Sequence, residues 1–127
     1  MSAALTALAE QLRAEDTPIA GHVVAPAGSP DGEAADEYAL VMEAVREGYL
    51  LHYGESRLLS GHDPDLALLA GDYLYALGLD RLAALGDTEA VAVLSELIGR
   101  CAQLHAEGRG DEVEPLWAEA TEKLSAG

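Results

Sequence analysis

One stretch of the sequence constrains the fold more than any other. From Leu66 to Leu79 only Asp72 is charged, and the remaining positions are leucine, alanine, glycine and tyrosine. On a helix, Leu66, Leu69, Ala70, Tyr73 and Leu77 form one face, whereas Leu68, Tyr75, Leu79 and Leu82 lie on the others. A helix that is apolar on nearly every side must be enclosed. We therefore expect a central apolar helix over about residues 64–85, surrounded by other helices of the chain or partly by another chain.

The ends of this helix carry clear signals. In Asp63-Pro64-Asp65, Asp63 can cap the helix, Pro64 suits its first position, and Asp65 faces the positive end of the helix dipole. Gly86 follows Leu85 and can adopt the left-handed conformation that ends a helix. The pattern predicts a helix that begins at Pro64 and stops at Gly86.

The composition favours helices throughout. Leucine and alanine dominate, phenylalanine is absent, and there is a single tryptophan, so little material suits a sheet. The sequence predicts an all-α protein, a compact bundle of about five helices in one domain over residues 1–127. Besides the central helix, these are Ala3–Ala14, a helix from near Ser29-Pro30-Asp31 to Tyr53, one from Asp87-Thr88-Glu89 to Gly108, and about Glu114–Ser125.

The connections are also readable. Proline and glycine predict an irregular segment at about residues 15–33, in which Val23 and Val24 form a short extended contact with the body. A further short helix is expected from Glu55 to Leu59. Cys101, the single cysteine, excludes an internal disulfide and is expected to be buried in the core.

The charge limits the partners. Seven basic residues against 23 acidic ones give a net charge of −16, which repels phosphate backbones and anionic membranes. Nucleic-acid binding is therefore not expected, and the acidity indicates solubility, a salty cytoplasm or a basic partner surface. The sequence shows neither a secretory signal nor an apolar run long enough for direct membrane insertion, so we expect a cytoplasmic protein.

No residue pattern predicts a catalytic, cofactor or metal site. His62-Asp63 resembles the metal-binding pair of HD-type phosphohydrolases, which leaves a metal-dependent hydrolase as one hypothesis, but Pro64 makes Asp63 a helix cap instead. The four histidines show no i, i+3 or i+4 pair, so no zinc motif of the H-E-x-x-H kind exists. The glycines of the central helix form no phosphate-binding loop.

The segment Leu69–Asp87, with Gly71-Asp72-Tyr73-Leu74 as its specific core, resembles the helix-and-turn segment of trans-polyprenyl diphosphate synthases. In that family two aspartate-rich motifs hold magnesium against the substrate diphosphate, which requires carboxylates one turn apart on one helix face. The helix upstream of Asp72 offers only Glu37, Glu43 and Glu47. The chain is therefore closest in character to the non-catalytic component of two-component, heptaprenyl-type synthases.

This resemblance implies a helical subunit without enzymatic activity of its own, associated with a catalytic polyprenyl synthase subunit. We predict a partner interface on the central helix that includes Leu68, Asp72, Tyr75 and Leu79. Asp72 is either half-exposed, hydrogen-bonded to a neighbouring helix, or a polar lock within the interface. The alternative is a self-associating structural or ligand-binding protein, for example a dimer, with no outside partner.

Overall fold

The computed structural model describes residues 3–24, 37–61 and 63–126, and this part of the chain is all-α, as predicted. Its five α-helices are α1 (Ala3–Ala14), α2 (Glu37–Tyr53), α3 (Pro64–Ala84), α4 (Thr88–Ala106) and α5 (Glu114–Ala126). Two 3₁₀ turns, Ala20–His22 and Gly110–Glu112, lie in the connections. The described residues form no strand, only an isolated bridge between Val23 and Leu59.

The helix ends agree closely with the sequence signals. The carboxylate of Asp63 accepts a hydrogen bond from Leu66 N at 2.8 Å, which confirms it as the cap of α3. Asp87 caps α4 in the same way. Gly86, in the turn between α3 and α4, has a φ of +76°. The predicted start of α2 near Ser29-Pro30-Asp31 and the irregular segment from residue 25 onward lie outside the described residues, as does His62.

The chain divides into two compact units, Met1–Gly78 and Leu79–Gly127, with the boundary inside α3. The first unit contains a core of buried side chains from α1, α2, the loop after α2, and the first half of α3. Its members include Leu5, Leu8, Leu12, Leu40, Ala44, Leu51, Leu58, Leu59, Ala70 and Leu74. The regular spacing of the leucines on α1 places all three against the same core.

A buried carboxylate holds the loop that follows α2. Glu47 has no solvent exposure, and its Oε1 accepts hydrogen bonds from Ser56 Oγ at 2.7 Å, Arg57 N at 2.9 Å and Leu58 N at 3.2 Å. Its Oε2 accepts from Arg57 Nε at 2.6 Å. A buried charge is tolerated only when it is paired and hydrogen-bonded, and Glu47 is both. We call this group, Glu47 with residues 56–58, the Glu47 clasp.

The clasp explains why the short helix expected from Glu55 to Leu59 does not form. Glu47 takes the N–H groups of Arg57 and Leu58, and Ser56 Oγ accepts from Leu58 N and Leu59 N at 3.1 and 3.0 Å. These local bonds compete with a helical ladder. The loop is instead extended, with Val24 N donating to Leu58 O at 2.7 Å. The short extended contact predicted for Val23 and Val24 is confirmed.

Glycines allow α2 and the first half of α3 to approach closely. A Cβ at residue 48 would lie 2.8 Å from the carbonyl oxygen of Gly71, and one at residue 78 would lie 2.7 Å from a methyl of Val45. A Cβ at residue 71 would collide with the ring of His52. We call Gly48, Gly71 and Gly78 the glycine seam, because a side chain at any of them would force the helices apart.

In the second unit α4 packs on α5. The buried residues on α4 are Ala90, Leu94, Leu97 and Cys101, and those that follow are Val113, Trp117, Ala120 and Leu124. This confirms that Cys101 is a buried core residue. Gly108, with a φ of +73°, turns the chain after α4.

The described residues of this chain bury α3 on one side and leave two of its leucines, and Leu85 just after its end, exposed, so enclosure by another chain stays a prediction. Ala70, Leu74 and Leu82 are completely buried, but Leu68, Leu69 and Leu85 are 54%, 59% and 50% exposed. The packed side therefore includes both small and bulky residues, and the leucines at positions 68 and 69 lie beside it. Within the described ranges, no helix combines the length and apolarity that a membrane span requires.

Replacing Glu47 should reveal how much the first unit depends on the clasp. We expect Glu47→Ala to lower the free energy of unfolding by about 3 kcal/mol, because two loop N–H groups and the Arg57 guanidinium lose their acceptor. The control is Glu43→Ala, which removes a longer contact, of 3.4 Å, with the same guanidinium and should cost less than about 1 kcal/mol. Urea unfolding measures both, and equal losses would contradict the central role of Glu47.

The same glycine-to-alanine substitution should have opposite effects on stability inside and outside the glycine seam. Gly48→Ala should lower the free energy of unfolding by about 2 kcal/mol, because its methyl meets rigid backbone. Gly99→Ala on α4 meets nothing within 4 Å and should stabilise its helix by about 0.5–1 kcal/mol. Urea unfolding followed by circular dichroism compares the two variants, and a stabilised Gly48→Ala would refute the close approach.

Candidate functional site

The most distinctive surface of the first unit lies where α2 meets the first half of α3. Of the four residues predicted as a partner interface, Leu68, Asp72 and Tyr75 occur here, and all three are grouped around His52 of α2. The fourth, Leu79, is half-buried and belongs to the second unit. The i, i+4, i+7 spacing places the first three on one stripe of α3.

His52 joins the two helices through one nitrogen. Its Nε2 lies 3.2 Å from the carbonyl oxygen of Leu68 and 3.2 Å from Oδ1 of Asp72. Because both neighbours are acceptors, Nε2 carries the hydrogen and donates it between them. The imidazole ring packs edge-on to Tyr75, with centroids 5.3 Å apart, and also contacts Tyr53. Only 15% of the His52 side chain is exposed, so the ring is a fixed element of this surface.

The side chains around His52 are open to solvent. Leu68 and Leu69 are both more than half exposed, Tyr53 is 39% exposed, and the Asp72 side chain is 73% exposed. We call His52, Tyr53, Leu68, Leu69, Asp72 and Tyr75 the α2–α3 patch. It combines apolar area with one carboxylate, a composition typical of a surface that contacts another molecule.

Each residue of the Gly71-Asp72-Tyr73-Leu74 core has a visible structural position. Gly71 lies in the glycine seam, Asp72 contacts His52, and Leu74 is completely buried. Burial, together with a hydrogen bond to Glu15 and the charge of that carboxylate, raises the pKa of Tyr73 to about 12. Four consecutive residues thus contact four different surroundings, because successive positions on a helix point about 100° apart.

The acids of α2 are not arranged to hold a metal against a substrate. Glu47 is enclosed in its clasp, and Glu43 contacts Arg57 at 3.4 Å. Across the described ranges, no three His, Cys, Asp or Glu side chains are grouped closely enough to ligate one ion. Asp63 of the possible HD pair caps α3.

A small open groove of about 70 Å³ lies between α4 and α5 in the second unit. Its lining residues are Val93, Glu96, Leu97, Arg100, Leu116, Glu119, Ala120 and Lys123. Two acids and two bases balance in charge there, and Lys123 is already 3.2 Å from Glu119. The groove offers little volume for a ligand, since sites for drug-sized molecules usually enclose several hundred Å³.

Sequence reasoning missed His52 and Tyr53 as members of the patch. His52 is 20 positions before Asp72, on a different helix, so no spacing within one helix brings them together. The available signal was the set of glycines at 48, 71 and 78, whose spacing permits a close helix pair and fixes which α2 residues face Asp72.

The chain matches no protein-family model, and it has no significant match among curated proteins or solved structures.

The raised pKa of Tyr73 leads to a titration with a defined sign. The folded chain holds the phenolic proton more tightly than the unfolded chain, whose tyrosines ionise near pH 10. The stability from this contact is therefore complete below about pH 10 and is lost as the pH rises towards 12. Ultraviolet absorbance should show one late tyrosine step that Tyr73→Phe removes.

Glu15→Gln should move that step towards lower pH, because the acceptor charge beside Tyr73 is gone. Glu10→Gln, an equal charge change at an exposed position of α1, should leave the step unchanged. Five tyrosines that ionise together in the wild-type chain would contradict the assignment.

Proposed function

We propose that this chain is a non-catalytic helical subunit that binds a catalytic partner of the polyprenyl diphosphate synthase type through the α2–α3 patch. The observation that carries the proposal is the exposure of Leu68 and Leu69 beside Asp72 on α3. The type of partner follows from the resemblance of Leu69–Asp87 to that family and is the part that the experiment must decide.

Energetics support docking at the patch. Covering two half-exposed leucines and a tyrosine removes apolar area from water at about 25 cal/mol per Å². The surrounding residues require little ordering on binding, since His52 is already held by Leu68 O and Asp72. A rigid apolar surface of this kind suits a lasting subunit contact.

The positions of the α2 acids support a non-catalytic role. A magnesium–diphosphate site needs neighbouring carboxylates aimed into a cavity. In α2, Glu47 is instead buried against loop N–H groups and Arg57, where it stabilises the fold. Catalysis in the proposed complex therefore belongs to the partner, and this chain contributes contact surface.

Charge favours a different partner over a second copy. Two chains of net charge −16 repel each other, and the repulsion is strongest at low ionic strength. A less acidic or basic partner would be attracted instead. Self-association is the alternative. Sedimentation distinguishes a homodimer from a complex with a different chain.

Affinity capture from the native host, followed by mass spectrometry and sedimentation, tests the proposed function. We expect a catalytic prenyl synthase to co-purify in a defined ratio. Leu68→Gln with Leu69→Gln should weaken capture at least tenfold, because about 2 kcal/mol of apolar contact is lost. The control is Leu85→Gln, the same change at a leucine that is 50% exposed in the second unit.

Three results would refute the proposal. A solitary monomer would exclude a stable subunit role, and a homodimer that needs no other chain would favour self-association. Condensation of isoprenoid diphosphates by the purified chain with magnesium alone would show that it is itself catalytic.

A further inference from the structure

The single carboxylate of the α2–α3 patch restricts what can cover it. Asp72 follows Leu68 by one turn on the same stripe of α3, and its side chain is 73% exposed. A partner that covers Leu68 and Leu69 also removes water from Asp72. An ionised carboxylate that loses water is costly unless a positive charge or several hydrogen bonds replace it.

In the described part of the first unit, no arginine is paired with Asp72. Residues 1–78 contain no lysine and three arginines. Arg57 is bound to Glu47 and Glu43, and Arg46 lies over the ring of Tyr49 at 5.4 Å. Arg13 is in the last turn of α1. The side chain described beside Asp72 is His52, and its Nε2 hydrogen is already shared with the carbonyl oxygen of Leu68.

A partner can supply a positive charge to Asp72. Around the imidazole, α3 presents Asp72 and Tyr75, and α2 presents Tyr53. The net charge of −16 attracts cationic groups over a distance of several ångströms, which favours a partner cation. Tyr75 and Tyr53 beside the carboxylate also favour a guanidinium, which can bind a carboxylate and pack on an aromatic ring at once.

On the premise that the patch is a docking surface, as proposed above, we infer that it recognises an arginine of the partner that is flanked by apolar side chains and pairs with Asp72. The leucines give the contact its area, and the ion pair fixes its position. His52 holds Asp72 in place through Nε2 and is a positioning residue in this contact. The inference concerns the chemistry of the partner surface and is independent of which enzyme carries it.

Short capped peptides test the inference without an identified partner. The probe is N-acetyl-Leu-Arg-Leu-amide, and its matched control replaces arginine with citrulline, which has a similar shape and no charge. Amide and methyl NMR spectra of the full chain report the site and the affinity. We expect shifts centred on Leu68, Leu69 and Asp72, with the arginine peptide bound about fivefold more tightly than the citrulline peptide.

Substitutions separate this site from general attraction to an acidic chain. Asp72→Asn should abolish the preference for arginine, whereas Asp80→Asn, an equal change at an exposed position of the same helix, should preserve it. The preference should also decrease as salt is added. His52→Gln, which keeps a donor, should retain most of the preference.

Equal affinities for the two peptides, or shifts spread over the other carboxylates, would overturn the inference. So would tighter binding of the citrulline peptide, since a cation would then not be needed at Asp72. If neither peptide binds at the α2–α3 patch, this inference is refuted. Capture of the synthase still tests the proposed function independently. A positive peptide result without a captured synthase would identify a basic surface of another kind of protein.

Discussion

The first unit depends on the burial of one carboxylate. Glu47 has no exposed surface, and its two oxygens bind the backbone and side chains of residues 56–58. This interaction holds the loop after α2 in a non-helical conformation. In that conformation the loop pairs with Val23 and Val24 before α3 begins. The desolvation of a carboxylate is costly, so the arrangement is stable only with all of its partners in place. The direction in which α3 leaves the loop follows from that requirement.

The next residue along α2 determines what α3 presents to solvent. Gly48 contacts α3 across the glycine seam while Glu47 faces the loop, so consecutive residues fix two neighbouring segments. The close approach places the His52 ring directly over Gly71, where its Nε2 reaches both Leu68 O and Asp72. A larger residue at the seam would separate these atoms. The α2–α3 patch is therefore a consequence of backbone proximity that glycine permits.

The sequence predicted the elements well and their contacts less well. Both ends of α3 and the start of α4 follow from local capping chemistry, which the residues at positions 63, 86 and 87 carry on their own. The helix expected at Glu55–Leu59 was wrong because N–H groups of this segment bind Glu47 on α2. Capping and turn signals within the segment give no indication of that contact. His52 was missed for the same reason, since the contact with Asp72 spans two helices. The exposure of Leu69 depended on which side of an almost uniformly apolar helix packs, and no local pattern distinguishes the sides of such a helix.

The structure gives a separate reason for each residue of the Gly71-Asp72-Tyr73-Leu74 core. Two of the four are explained by packing, one by a hydrogen bond to Glu15, and only Asp72 presents a reactive group to solvent. Packing and the contact with Glu15 account for Gly71, Tyr73 and Leu74 whatever the protein does. The exposed leucines are a different case, because burial of Ala70 and Leu74 does not require them. An apolar surface that the fold does not need, on a chain of net charge −16, is the physical basis of the proposal that a partner of opposite charge covers it.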